Sequence, residues 1–197
     1  MSRLSRGVKI SIALFVIVVG GYFLGRLGFS SGMPSREFTD ARMQGALIAQ
    51  DIVNLSNQMG TDLETVHALE EQKSFTEALA LTNDLVKKSA EVRQRAIELS
   101  NELEKMTSAL SGIASTDARQ AALESIASRM TLINRLINYS DYLSKLLTAL
   151  QARFEGAKNK TEIATLINQI NAEVTAINSF NQQAGQAMDR FDKIVNK

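Results

Sequence analysis

The sequence contains no cysteine and no tryptophan, a single histidine (His67) and a single proline (Pro34) in 197 residues. Without cysteine there are no disulfides, thiolate metal ligands, cysteine nucleophiles or lipid-modified cysteines of the bacterial lipoprotein kind. With one histidine, a Glu-x-x-His pair on each of two helices, as carboxylate-bridged di-iron bundles require, is excluded. The one such spacing, Glu64-Thr65-Val66-His67, reads as a solvated helix flank. No glycine-rich phosphate loop follows a strand, and no second group stands ready to activate a serine. No catalytic residue, cofactor or metal ligand is therefore assigned, and the protein is read as non-enzymatic.

The proline is as informative by its position as by its rarity. The 163 residues after Pro34 contain none, which suits long unbroken helices, where the ring would remove a hydrogen bond and clash with the preceding turn. Basic residues are also unevenly spread. Residues 1–36 carry Arg3, Arg6, Lys9, Arg26 and Arg36 with no acid, and the remaining 17 basic and 21 acidic residues leave that larger part at −4. A domain of that sign lacks the basic footprint needed for phosphate backbones, so no nucleic-acid partner is expected.

Between Lys9 and Arg26 run sixteen uncharged residues, ISIALFVIVVGGYFLG. At ~1.5 Å per residue they cover about 24 Å, short of a ~30 Å hydrocarbon core. Snorkelling by Lys9 and Arg26, and continuation through Leu27 and Phe29, make up the difference. The reading is a basic N-region over 1–9, a retained signal anchor over 10–27 and a linker over 28–36. Gly28-Phe29-Ser30 offers the alternative of signal-peptide cleavage and secretion. The excess of basic residues before the span places the N-terminus inside and residues 37–197 outside the cell membrane. Gly21 and Gly25 stand in the GxxxG spacing that lets two membrane helices approach closely, although glycines loosening the exit from the membrane are the simpler explanation.

Past Pro34, three punctuation points divide the chain. Ser74-x-x-Glu77 has the form of a capping box. Gly112 followed by Ser115, Thr116 or Asp117 offers a helix stop and a new N-cap, and Gly156 followed by Asn159 and Glu162 does the same. The predicted helices span 36–72, 75–111, 117–155 and 161–195, matched lengths that an antiparallel up-down-up-down four-helix bundle needs. Apolar periodicity agrees. The second helix carries Leu85, Ser89, Val92, Ala96, Leu99, Leu103, Met106 and Leu110, and the fourth runs from Ile163 through Ile177 and Asn181 to Val195. The third has two stripes, Leu123-Ile126-Met130-Ile133-Ile137 and Leu132-Leu136-Tyr139-Leu143-Leu146-Leu150, and the first is read as continuous across Gly60. Antiparallel packing then gathers Phe38, Leu110, Leu123 and Phe191 at one end and Phe75, Phe154 and Ile163 at the other.

The stripes lapse into polar residues at Ser89, Ser140 and Asn181, with Ser56 on the flank of the first helix. Counted from the helix ends they fall within about 9 Å along the axis. Such a layer sets helix register or surrounds a small polar ligand, and register is the commoner use. The whole arrangement resembles the extracytoplasmic four-helix ligand-binding domains of bacterial chemoreceptors in anchor, bundle and helix length over residues 8–195. It shares no quotable motif with them, and the chain has neither a second span nor signalling helices. The functional expectation is an envelope scaffold or partner-binding module that associates with another envelope protein or with itself. The alternatives are a small-ligand sensor or carrier using the mid-bundle layer, and an oligomeric coiled coil.

Overall fold

A computed structural model describes residues 34–196. The expected membrane segment over 10–27, with Gly21 and Gly25, lies outside the described residues. No helix among the described residues is long and apolar enough to cross a membrane.

Among the described residues there are four long helices, α1 (Arg36–Glu71), α2 (Phe75–Ser108), α3 (Thr116–Phe154) and α4 (Lys160–Val195), with a 3₁₀ turn at Ala109–Gly112. No strand occurs among the described residues. Ser35 caps α1 by accepting from the Phe38 amide, and Ser115 caps α3 by accepting from the Ala118 amide. Ser74 occupies the N-cap of α2 but its side chain makes no capping bond, so the expected capping box is not formed. α1 passes through Gly60 without a break, and a Cβ there would meet nothing within 4 Å.

Two connections share one geometry. After α3, the Ala157 amide donates to Ala152 O and the Gly156 amide to Arg153 O, with Gly156 at φ 105°. After α1, the Ser74 amide donates to Leu69 O and the Lys73 amide to Glu70 O, with Lys73 at φ 62°. Both are Schellman turns, which satisfy the last helical carbonyls through one left-handed residue. The middle connection is different. Ile113 is extended and buried, and its carbonyl accepts from Arg119 Nη2.

Contacts between helices run in opposite directions along each pair, which fixes the antiparallel order. Asp62 meets Lys88 and Asp51 meets Arg95; Ser89 meets Ser140 and Ser100 meets Met130; Ser125 meets Ala184 and Arg135 meets Glu173. Every member of the predicted α2 stripe is buried. Phe38 and Phe191 lie with ring centroids 5.3 Å apart, and Phe75 stacks on Phe154 at 6.1 Å.

The α3 pattern needs correcting. Leu123 and Met130 are 49% and 39% exposed, at the outer edge of the face turned towards α2, where Met130 still meets Ser100. Ile126 and Ile133 of that stripe are buried, and the other stripe is buried throughout and continues towards the N-terminus through Arg129, Ser125, Ala122 and Ala118. On α1 the central row runs Ile52-Ser56-Met59, with Ser56 inside it and Leu55 only half-buried.

Candidate functional site

Neighbouring helices pack closely from α1 to α2, α2 to α3 and α3 to α4, but α1 and α4 scarcely meet at the level of the backbone. The fourth edge of the bundle is instead spanned by long side chains at the end near Pro34. Phe38 reaches Phe191, and Arg42 donates both Nη atoms to the Asp192 carboxylate at 2.7 Å. Behind this pair lies Arg129, 5% exposed, whose Nε donates to Ser125 Oγ at 3.4 Å. Burial, reinforced by the Arg42 charge, pushes the Arg129 guanidinium down to about 9.

Towards the opposite end the same edge stays apart and leaves a narrow groove with a cavity volume of about 50 Å³. Its floor is the apolar row of α3, Tyr139, Leu143, Leu146 and Leu150, each less than a tenth exposed. Leu63 and Val66 of α1 form one wall. The other wall is α4, where Ile163 is buried but Ile167, Ile170 and Val174 are only half-buried because no helix covers them from the α1 side. From Ile163 to Val174 the wall extends roughly 16 Å at the helical rise. His67, Glu70 and Asn171 supply the polar rim. Glu70 is held by Arg153 at 2.7 Å, and His67 Nε2 stands 3.6 Å from a Glu71 carboxylate oxygen. Burial pushes the Tyr139 phenol up to about 12, so it remains protonated.

The four residues singled out in sequence divide between places. Ser89 and Ser140 face each other across α2 and α3: each hydroxyl donates to the other residue's carbonyl, at 3.1 and 2.7 Å, and the two Oγ atoms are 3.1 Å apart. Ser56 is buried, and its Oγ has no hydrogen-bond partner. Asn181 is half-buried, and the pairing of Ser125 with Ala184 sets it opposite the Arg129 level. That level is roughly 16 Å along α3 from Ser140. The structure thus joins Ser89 to Ser140 and does not bring Asn181 to them.

Two features escaped the sequence reading. Arg129 continues the Leu132–Leu150 stripe in unbroken 4-3 spacing, so extending the phase past the charged residue would have found it. The groove had no such signal, since Ile167, Ile170 and Val174 are in phase with the core. Among the described residues, no group of three or more His, Asp or Glu side chains is arranged to hold a metal ion. Comparison with protein families, with curated proteins and with solved structures finds no match to this chain.

Proposed function

We propose that the protein is a non-enzymatic binding module, tethered to the cell membrane by residues 10–27 with its helical bundle outside, and that the groove between α1 and α4 is its working surface. The observation that carries this reading is the unclosed edge itself. A four-helix bundle hides its apolar stripes by closing all four seams, yet here one wall of aliphatic side chains on α4 is left without a facing helix. A preformed apolar cleft with a few polar groups at its rim is the usual form of a binding site. The alternative of a ligand in the mid-bundle layer is weakened because Ser89 and Ser140 already satisfy each other.

Placement is tested with an alkaline phosphatase reporter fused after Lys197, which is active when the bundle is exported and silent if it stays in the cytosol. The groove is tested with a photoreactive benzoyl-phenylalanine at position 167 in living cells. A discrete adduct is expected there and not from position 47 on the outer face of α1, where Leu47 is 54% exposed. Equal labelling from both positions would remove the groove from the reading.

A further inference from the structure

Resting on the reading of residues 10–27 as a membrane tether, we propose that the outer face of the α2–α3 seam is where the bundle pairs with a second copy of this chain, the two rods parallel and related by a two-fold axis along their length.

Apolar side chains cluster on this face. Among the described residues six large ones are exposed, and three of them, Ile97, Leu123 and Met130, lie here at 43%, 49% and 39%. Met130 meets Ser100 across the seam, and Ile97 is one turn from Ser100 on the same side of α2. Leu123 lies two turns from Met130 along α3, and half-buried Ile137 lies two turns the other way. Beyond Ile97 and Ile137 the row ends in an ion pair. Arg93 Nη1 donates to Asp141 Oδ1 at 2.6 Å, with the two side chains 51% and 44% exposed. Exposed apolar residues gathered in one place, rather than scattered singly, mark an interaction surface.

The charge pattern selects a second copy and its direction. A two-fold axis parallel to the rods sets α2 of one copy against α3 of the other at equal height. Arg93 then faces the second copy's Asp141, and Asp141 faces the second copy's Arg93, so that four charges alternate in sign around the axis. Ile97 of each copy comes opposite Met130 of the other, since Ser100 marks the height of Met130 and Ile97 stands about 4.5 Å from that level. Reversing one rod about the middle of the patch would instead lay the ion pair near the second copy's Leu123, stripping water from two charges without offering a partner. Of the two directions, the parallel one keeps charge on charge and carbon on carbon. A shared tether imposes that direction, because chains held by the same end in one membrane stand side by side at equal heights.

The contact is small, three exposed apolar side chains per copy, where stable soluble complexes bury ~1,200–2,000 Å² in total. The tether offsets this, since confinement makes the meeting of two copies nearly intramolecular.

The chain has no cysteine, so introduced thiols report the pairing without background. Two differently tagged full-length chains are co-expressed, one with Ile97→Cys and the other with Met130→Cys, and their membranes are oxidised with copper phenanthroline. A mixed-tag disulfide dimer is expected, well above that from Leu47→Cys with Met130→Cys, because Leu47 is exposed on the outer face of α1. Arg93→Asp added to both chains brings four carboxylates together and should cut the dimer roughly tenfold. Arg93→Asp in one chain with Asp141→Arg in the other spoils the ion pair within each chain but sets opposite charges between copies, so the mixed dimer should return. An ion pair that served only its own bundle would give no such recovery. A cross-link no stronger than the Leu47 control, one indifferent to Arg93→Asp, or one that fails to recover in the mixed pair would overturn the proposal. An active phosphatase reporter with no cross-link sinks the pairing and leaves the placement standing. A silent reporter sinks the placement and, with it, the shared tether.

Discussion

At the scale of single residues, the polar groups in the core carry unequal consequences. Ser89 and Ser140 each lose a partner if the other is removed, and an unsatisfied buried group costs about 1–3 kcal/mol, whereas removing both can be nearly neutral. Ser89→Ala and Ser140→Ala should each lower stability by about 1–2 kcal/mol, with the double variant less destabilised than the sum, as urea melts in a double-mutant cycle would show. Additive losses would mean that the two hydroxyls are not coupled. Arg129 works in the opposite sense. Its folded-state pKa, about 9, lies below that of the unfolded chain. The unfolded state therefore binds more protons from that value up to the ordinary arginine range, and stability rises with pH through that window. At neutral pH the burial penalty is fully present, so Arg129→Met should raise stability by about 1–4 kcal/mol. The advantage over the native chain should shrink as the pH climbs past 9. A less stable variant would show that the hydrogen bonds of Arg129 outweigh its desolvation. The phase of Arg129 was legible in the sequence, but its burial was not, since a charge in register with a core stripe is ordinarily read as the stripe's edge.

At the scale of elements, most helix boundaries were legible to within a residue because the punctuation is chemical, but α2 ends at Ser108, short of the expected 111, and passes into a 3₁₀ turn. Ser115 accepts an amide hydrogen where the sequence offers it as an N-cap, whereas Ser74 and Asn159 make no capping bond and Asn159 instead donates to Ala149 O. Gly156 takes the left-handed position that closes α3. Lys73 performs the same task after α1 without any glycine to announce it. An L-residue in the left-handed region is disfavoured by roughly 1–2 kcal/mol. Lys73→Gly should therefore stabilise the bundle by about 1 kcal/mol, less the entropy that glycine adds to the unfolded chain. Gly156→Ala, at φ 105°, should destabilise it by a similar amount although its Cβ would meet no atom within 4 Å. Thermal melts of the two variants should move in opposite directions, and a shift in the same direction would contradict the shared turn geometry. The two faces of α3 show where periodicity alone falls short. Stripes one helical step apart look alike in sequence, and only the position of α2 decides that Ile126 and Ile133 are covered while Leu123 and Met130 are not.

At the scale of the whole molecule, four similar helices in alternating directions followed from length, caps and spacing. The unequal closure of the four seams did not, because the α4 residues that line the groove repeat with the same period as those that are buried. Only the end near Pro34 is drawn shut, by Phe38 on Phe191 and Arg42 on Asp192, the latter pair about a fifth exposed. Asp192→Ala would strip Arg42, whose charge already weighs on the buried Arg129, of its carboxylate partner. The expected loss is about 2–3 kcal/mol, somewhat below the ~3–5 kcal/mol for breaking a fully buried pair. Hydrogen exchange should quicken first in the opening turns of α1 and the closing turns of α4. Protection lost evenly along all four helices would argue against a closure localised at that end.

The clasp also has a mechanical side. The folded part is entered at Pro34 and left at Asn196 on the same end of the rod, so tension between those points acts across the Phe38–Phe191 and Arg42–Asp192 contacts in peel rather than in shear. Peeling breaks contacts one after another instead of all together. A molecule held at one of these ends and pulled at the other would therefore begin to part at modest force, starting at its gripped end and travelling towards the already open groove.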